Sequence, residues 1–267
     1  MLSNLHTHST FCDGKNTPEE VVLSAIEKGF CSIGFSGHGY TAFDHTYCMK
    51  DTRGYMAEVN SLKEKYKKDI QIYLGVEEDA FYPEPRDEFD YVIGSSHYFL
   101  IDGKYYPIDS NPDCFNKCME MFGSDVKTLS ESYYSRFCEY ILKHKPDIIG
   151  HFDLVTKFDE LDDGGCFLNN PEYLQIAEKY LKIAMQSGAI FEVNTGAISR
   201  GYRTSPYPQE NLLHILKKAD TGLTITADSH AKDTICFGFD DAKAMLKEIG
   251  FQYVYVLYDG EFKKDYL

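Results

Sequence analysis

The sequence predicts an α/β fold whose parallel strands close into a barrel, and three observations carry that prediction. Short apolar strands alternate with amphipathic helical segments about seven times along the chain. Nearly every strand ends on a histidine, aspartate or glutamate. The length, 267 residues, suits one large domain of this kind, spanning 1–267. An open, doubly wound sheet is the competing layout. No G-x-G-x-x-G or G-x-x-x-x-G-K-[ST] loop is present, so a nucleotide cofactor has no support.

The first strand is read at Leu2 to Ser9, with a turn at Asp13-Gly14. His6 and His8 are separated by one residue, and side chains alternate along a strand, so both imidazoles face one side and can grip one ion. Thr17-Pro18-Glu19-Glu20 reads as a helix start: Thr17 as N-cap, Pro18 at the first helical position and Glu20 completing a capping box. Val21, Val22, Ala25 and Ile26 give that helix its apolar stripe, and Gly29 its stop. Cys31 to Ser36 is the second strand, ending at Gly37-His38-Gly39, and Tyr40 to Arg53 is a loop long enough to hang over a site. A helix at Gly54 to Lys68 precedes the third strand, Ile70 to Val76, which delivers Glu77. The fourth strand, Phe89 to Ser96, is almost wholly apolar, as a strand covered on both faces should be, and ends at His97. Asp102-Gly103 marks a hairpin turn within Tyr98 to Pro112. Helices are expected at 112–122 and 127–144, followed by a short strand at Asp147 to Gly150 that delivers His151. Further helix and strand pairs lie at 171–187 with 189–194, at 208–219 with 223–227, and at 240–249 with a last strand at 253–257.

Net charge is −15 with no long basic run, which argues against gripping a nucleic acid polymer; an anionic small molecule would need a local positive site. The eight cysteines are scattered without a C-x-x-C pair or a secretory signal, which reads as reduced thiols in a cytoplasmic protein. No apolar run approaches membrane-spanning length.

The strand ends are where chemistry is expected. Strand one offers His6, His8 and nearby Asp13, strand two His38 and strand three Glu77. Strand four offers His97, strand five His151, and strand seven Asp228 and His230. In a barrel these ends converge on one mouth, so a metal site is expected there. Imidazole mixed with carboxylate suits zinc, iron or manganese. Of the remaining histidines, His144 sits near a helix C-terminus, His214 inside a helix, and His45 on the long loop beside the mouth.

H-T-H-S-x-x-x-D-G at the start, S-G-H at 36–38, G-V-E at 75–77, S-S-H at 95–97, G-H at 150–151 and D-S-H at 228–230 together resemble the PHP (polymerase and histidinol phosphatase) superfamily. The resemblance runs the length of the chain and implies a distorted (β/α)7, TIM-like barrel holding up to three divalent ions. It implies that His6 and His8 hold one ion with Asp228 and a bridging Glu77, that Glu77, His97 and His151 hold a second, and that Asp13, His38 and His230 hold a third. The segments G-H-F-D-L-V-T-K-F at 150–158 and E-V-N-T-G-A at 192–197 are similar to stand-alone histidinol-phosphatases of histidine biosynthesis. The family's second motif often reads T-D-H, where this chain has Ser36-Gly37-His38.

The activity this implies is hydrolysis of a small phosphomonoester, with L-histidinol phosphate as the first candidate. Close-set ions can lower the pKa of a bridging water toward neutrality and offset phosphoryl charge. Arginine's planar fork suits the outer phosphoryl oxygens, and Arg200 and Arg203 follow a strand end at the same mouth. Arg200, Arg203, Asp228 and His45 are therefore the catalytic candidates, His45 as proton donor to the leaving alkoxide, with Lys157 a further phosphate contact. Acidic residues between Glu78 and Glu88 and aromatics such as Tyr40, Phe43, Tyr98 and Phe99 could line the far end of a cationic substrate. Rival readings are a related phosphoesterase acting on nucleotides or phosphotyrosine, an amidohydrolase, and a non-enzymatic metal-binding domain. An amidohydrolase usually closes on an Asp alone, whereas here Asp228 is paired with His230. The sequence leaves the oligomeric state open.

Overall fold

The computed structural model describes residues 1–161 and 165–267. Seven parallel strands form one sheet: β1 (Ser3–Asn4), β2 (Ser32–Phe35), β3 (Gln71–Asp79), β4 (Tyr91–Ser95), β7 (Ile148–Ile149), β8 (Ile190–Asn194) and β9 (Leu223–Thr226), in that spatial order. Between β4 and β7 the chain inserts an antiparallel hairpin, β5 (Tyr98–Ile101) with β6 (Lys104–Pro107). Its turn is the predicted Asp102-Gly103, both at positive φ, as a tight hairpin turn requires.

The two edges of the sheet meet. Thr7 bridges Ser229 in parallel, the His8 amide donates to the Ser229 carbonyl at 2.8 Å, and the Ser229 amide donates to the His6 carbonyl at 3.1 Å. The segments that close the barrel are thus the ones carrying four of the ligand-type residues, His6, His8, Asp228 and His230. Strand β1 is far shorter than the predicted Leu2 to Ser9, and Asn4 is the reason. Its side-chain oxygen accepts from the His6 amide (3.1 Å) and the Ala227 amide (3.2 Å), while its nitrogen donates to the His6 carbonyl (3.2 Å). A side chain has taken over backbone groups that a regular ladder would pair.

Eight helices flank the strands among the described residues: α1 (Pro18–Glu27), α2 (Thr52–Tyr66), α3 (Pro112–Met121), α4 (Val126–His144), α5 (Pro171–Ala184), α6 (Gly196–Ser199), α7 (Glu210–Lys218) and α8 (Phe239–Ile249). The capping box forms as the residues predict, with the Glu20 amide donating to Thr17 Oγ1 (3.3 Å) and the Thr17 amide to Glu20 Oε2 (2.9 Å). Apolar side chains of the helices and of the outer strand faces make two large buried clusters. None of the described helices is long and apolar enough to cross a membrane.

The expected last strand, 253–257, is not part of the barrel wall. Tyr253–Tyr258 (β10) pairs antiparallel with Glu261–Tyr266 (β11) across the positive-φ turn Asp259-Gly260. This hairpin lies over the N-terminal ends of the strands: Ser32 Oγ donates to the Leu257 carbonyl at 2.8 Å, and the Gln71 and Asp259 side chains meet at 2.7 Å. Leu257 packs with Leu5, Tyr91, Ile93 and Ile148 inside the barrel. The bottom is plugged with hydrocarbon, leaving the C-terminal mouth for polar chemistry.

Candidate metal centre

All nine ligand-type residues read from the strand ends come together at that mouth. Four overlapping sets bring donor atoms within 4.8 Å of one another: His8 with Asp13, His38 and His230; His6 with Glu77 and His151; His6 and His8 with Asp228; and His38 with Glu77 and His97. The rings of His6 and His8 are 5.2 Å apart, on one side of the chain as the alternation required, although the regular strand ends before them. Asp13 reaches the cluster because the chain folds back tightly at Gly14. A Cβ there would sit 2.5 Å from the Ser9 nitrogen, so only glycine permits the turn.

Glu77, wholly buried, is the hub. Its Oε2 lies 3.2 Å from His6 Nε2, 3.6 Å from His8 Nε2 and 2.9 Å from His38 Nδ1. Its Oε1 lies 3.0 Å from His151 Nε2 and 3.3 Å from His97 Nε2. Yet His6 Nε2, His8 Nε2 and Glu77 Oε2 are buried and make no properly angled hydrogen bond. Buried polar atoms left in that state are rare, and lone pairs facing a shared space are what a metal needs. The set fits divalent cations.

The protonation behaviour agrees. Burial opposes charging His6, but Glu192, Glu77 and Asp228 outweigh it and hold its pKa well above the ordinary value; Glu77 and the nearby Asp79 carboxylate do the same for His97. Burial, helped by the neighbouring His230 and His38, pushes His8 down to about 3. Burial would raise the carboxyls of Glu77 and Asp228, but the surrounding imidazoles, and for Asp228 chiefly Arg200, hold both well below the usual range. Such a cluster exchanges protons for cations.

A further layer of residues, invisible as ligands, orients the first. Glu192, on β8 and buried, accepts from His6 Nδ1 (2.8 Å) and Thr226 Oγ1 (2.8 Å) on one oxygen. Its other oxygen accepts from the His151 amide (2.5 Å) and Asn194 Nδ2 (2.8 Å). It thereby presents His6 Nε2 to the centre as an acceptor. Asp79 accepts from the His97 amide at 2.9 Å and lies 3.3 Å from its Nδ1. The sequence singled out Asp79 only as part of an acidic run and Glu192 only within a resemblance; their inward alternation on β8 and β3 was the available signal.

The centre opens into a cavity of about 340 Å³. Arg200 and Lys157 stand on its wall. Arg200 donates to the Asp228 carboxylate and to its carbonyl, both at 2.9 Å. Asp228 holds φ 44°, a left-handed conformation that an aspartate tolerates better than most residues, and it is the kind of local strain found at working sites. Lys157 donates to the Asp109 carbonyl at 2.7 Å and to its carboxylate at 3.1 Å.

Two sequence expectations are corrected. Arg203 does not face the cavity: its side chain is fully enclosed, donates to Thr156 Oγ1 at 2.8 Å, stacks on Tyr207 and lies 3.8 Å from Asp153. Following a strand end placed it near the mouth in sequence, but the chain turns at Gly201 (φ 75°), after Arg200 has capped the short helix α6, and carries Arg203 behind the wall. His45 is also off the cavity wall; it is exposed and packs its ring on Tyr40 at 5.4 Å, so it is not positioned to protonate a leaving group. Of the acidic run after β3, Glu78 is buried against Tyr140 and the Glu84 amide, away from the cavity. Among the aromatics, Tyr98 reaches the wall and Phe99 packs in the core.

A family profile described as the PHP domain matches residues 4–196. The chain belongs to the PHP family. Seven of the nine residues in this PHP centre fall inside the matched span, and Asp228 and His230 lie beyond it, just after the strand that closes the barrel. The chain is 29% identical over 267 residues to a Schizosaccharomyces pombe protein named "Probable histidinol-phosphatase", covering 92% of this chain and 86% of that one. It is 25% identical to the histidinol-phosphatase of Bacillus subtilis, covering 88% of this chain and 96% of that one. Among solved structures, the histidinol phosphate phosphatase of Lactococcus lactis, complexed with zinc, L-histidinol and phosphate, superposes with a TM-score of 0.72 at 20% identity, covering 98% of each chain. That likeness establishes a shared fold.

Proposed function

We propose that this PHP protein is a metal-dependent histidinol-phosphatase, hydrolysing L-histidinol phosphate to L-histidinol and phosphate. The observation that carries the reading is a nine-residue imidazole–carboxylate centre with two cations on the wall of the adjoining cavity. The names borne by its relatives in yeast and Bacillus support the substrate. The whole chain, 1–267, acts as one domain on this reading, because β9 and the residues just after it, beyond the matched span, supply the closing edge of the barrel and Asp228.

The residues would hold up to three divalent ions: His6, His8, Asp228 and Glu77 one; Glu77, His97 and His151 a second; Asp13, His38 and His230 a third. The donor set suits zinc, iron or manganese. Bound there, such ions supply a water-derived nucleophile at neutral pH and offset charge on the phosphoryl oxygens. The chain's own residues do the rest. Arg200, anchored through Asp228, turns its remaining donors toward the outer phosphoryl oxygens, and Asp109 holds the Lys157 ammonium on the same wall. Glu192 and Asp79 keep His6 and His97 in the tautomers and orientations that ligands need. The −15 charge disfavours nucleic acid polymers as substrates, and Cys12, Cys31, Cys48, Cys114, Cys118, Cys138 and Cys236 are free thiols, as suits the cytoplasm.

The test is phosphate release by metal-replete protein on L-histidinol phosphate, beside a nucleotide, phosphotyrosine and a His6→Ala control. Selective turnover of histidinol phosphate that vanishes in the control is the expected result. Preference for a nucleotide would discard the substrate while keeping the metal-dependent phosphatase, and no phosphate release from a metal-loaded chain would discard both.

A further inference from the structure

The phosphatase reading leaves the far end of the substrate unassigned, and the cavity wall narrows the choice. Five carboxylates line it. Asp13, Glu77 and Asp228 belong to the metal centre, and Asp109 is neutralised by Lys157 at 3.1 Å. Asp44 is the remainder. Its carboxylate accepts from the Thr46 amide (2.9 Å) and hydroxyl (2.6 Å) on one oxygen and from Tyr98 Oη (2.7 Å) on the other. All three donors are neutral. Among the described residues no lysine, arginine or histidine nitrogen lies within 4.0 Å of it, and a carboxylate offers about four acceptor sites, so one remains.

The loop bearing Asp44 is held in place. Phe43 stacks on Tyr105 of the inserted hairpin at 3.7 Å between ring centroids and meets Tyr98 edge-on at 4.9 Å. Tyr47, three residues on, packs edge-on against the ligand-type His38 at 4.8 Å. The same loop therefore touches the metal centre with one side chain and holds a carboxylate on the cavity wall with another. Arg200 and Lys157 line the same cavity. A wall that offers both guanidinium and ammonium donors and a carboxylate without a bonded cation suits a substrate carrying both a phosphate and an ammonium.

We propose that Asp44 binds the ammonium group of the substrate and makes the cavity selective for phosphomonoesters of amine-bearing alcohols. This rests on the phosphatase reading of the same cavity.

The experiment compares kcat/KM for L-histidinol phosphate and for its desamino counterpart, imidazolylpropyl phosphate, in the metal-replete wild type and in Asp44→Asn. Asparagine keeps an acceptor for Thr46 and offers Tyr98 a donor, so the loop retains its contacts. Thermal melting checks the fold, and Asp44→Ser replaces the variant if asparagine is not tolerated. The wild type should prefer the amine-bearing ester, and the variant should lower that ratio about 10–100-fold, the range for a hydrogen bond between charged partners. A purely structural Asp44 would slow both substrates together and leave the ratio unchanged, which overturns the proposal. Equal wild-type turnover of the two esters overturns it as well while sparing the phosphatase reading. A wild type that releases phosphate from neither removes both.

Discussion

Replacing Glu192 with glutamine changes one oxygen into an amide nitrogen at the point where four donors converge. His6 Nδ1 and Thr226 Oγ1 point at one carboxylate oxygen, and the His151 amide and Asn194 Nδ2 at the other. If the new NH2 takes the second position it faces a backbone amide that cannot turn, and Asn194 cannot flip without losing its bond from the Gly196 amide at 2.8 Å. If it takes the first, Thr226 can rotate, but His6 must give up its Nδ1 proton. The proton then moves to Nε2, the atom 3.2 Å from Glu77 and 3.7 Å from Asp228, and the ligand lone pair is lost. Facing the His151 amide, the nitrogen strands buried donors, and facing His6 it takes away the charged partner of the Nδ1 proton, either at about 1–3 kcal/mol. At about 2–4 °C per kcal/mol for a chain of this size, the melting midpoint should fall by roughly 2–12 °C. Metal affinity should fall about 10–100-fold, the usual cost of losing such an outer partner. Zinc titration against a chromophoric chelator, with melting curves of apo and loaded protein, reads both quantities. A Glu192→Gln chain that binds zinc within twofold of wild type and melts at the same temperature would refute the reasoning.

Three other outcomes follow from the same geometry. Arg200→Lys keeps a charge but loses the fork that spans Asp228 while leaving donors for the cavity, so kcat/KM on L-histidinol phosphate should fall about 100-fold in steady-state kinetics, as when one preorganised donor to a reacting oxyanion is removed. Arg203→Met should act on stability instead: it leaves Asp153 buried without its cation, costing about 3–5 kcal/mol in denaturant unfolding, with KM of the folded fraction little changed. The chelated protein should lose stability as pH rises from about 6.5. Despite burial, their carboxylate neighbours raise His6, His38 and His97 in the folded state, so their protonated forms stabilise it fully below the unfolded pKa. That contribution disappears as pH climbs through the folded values, where His8, lowered to about 3, is already neutral in both states and does not oppose it. Melting curves from about pH 6.5 upward to roughly 9 should show the decline without metal and not with zinc; a flat apo profile would count against the cluster's carboxylates as the cause.

Residues that must leave a strand end were legible because their type and their position say the same thing. Histidine after an apolar run is unusual once and directional when repeated, and all nine such residues gathered in one cluster. What failed was distance along the chain used as a proxy for direction. Arg200 caps the end of α6 and Arg203 lies beyond the positive-φ turn at Gly201, so they point to opposite sides of the wall, and nothing in their identity separates them. The same limit hid the end of β1: Asn4 substitutes its side chain for the ladder, an arrangement that depends on Ala227 more than two hundred residues away. Glu192 was missed for a different reason. A single glutamate inside an apolar strand reads as an exposed edge or an error of assignment, and only the closed barrel turns it inward onto His6. Buried charge of this sort is costly unless every lone pair is used, and Glu192 receives four donors. An inward glutamate in a parallel strand that ends near a histidine cluster is therefore better evidence of an orienting partner than of a misread strand, because the fold can keep it only where donors have been assembled to meet it.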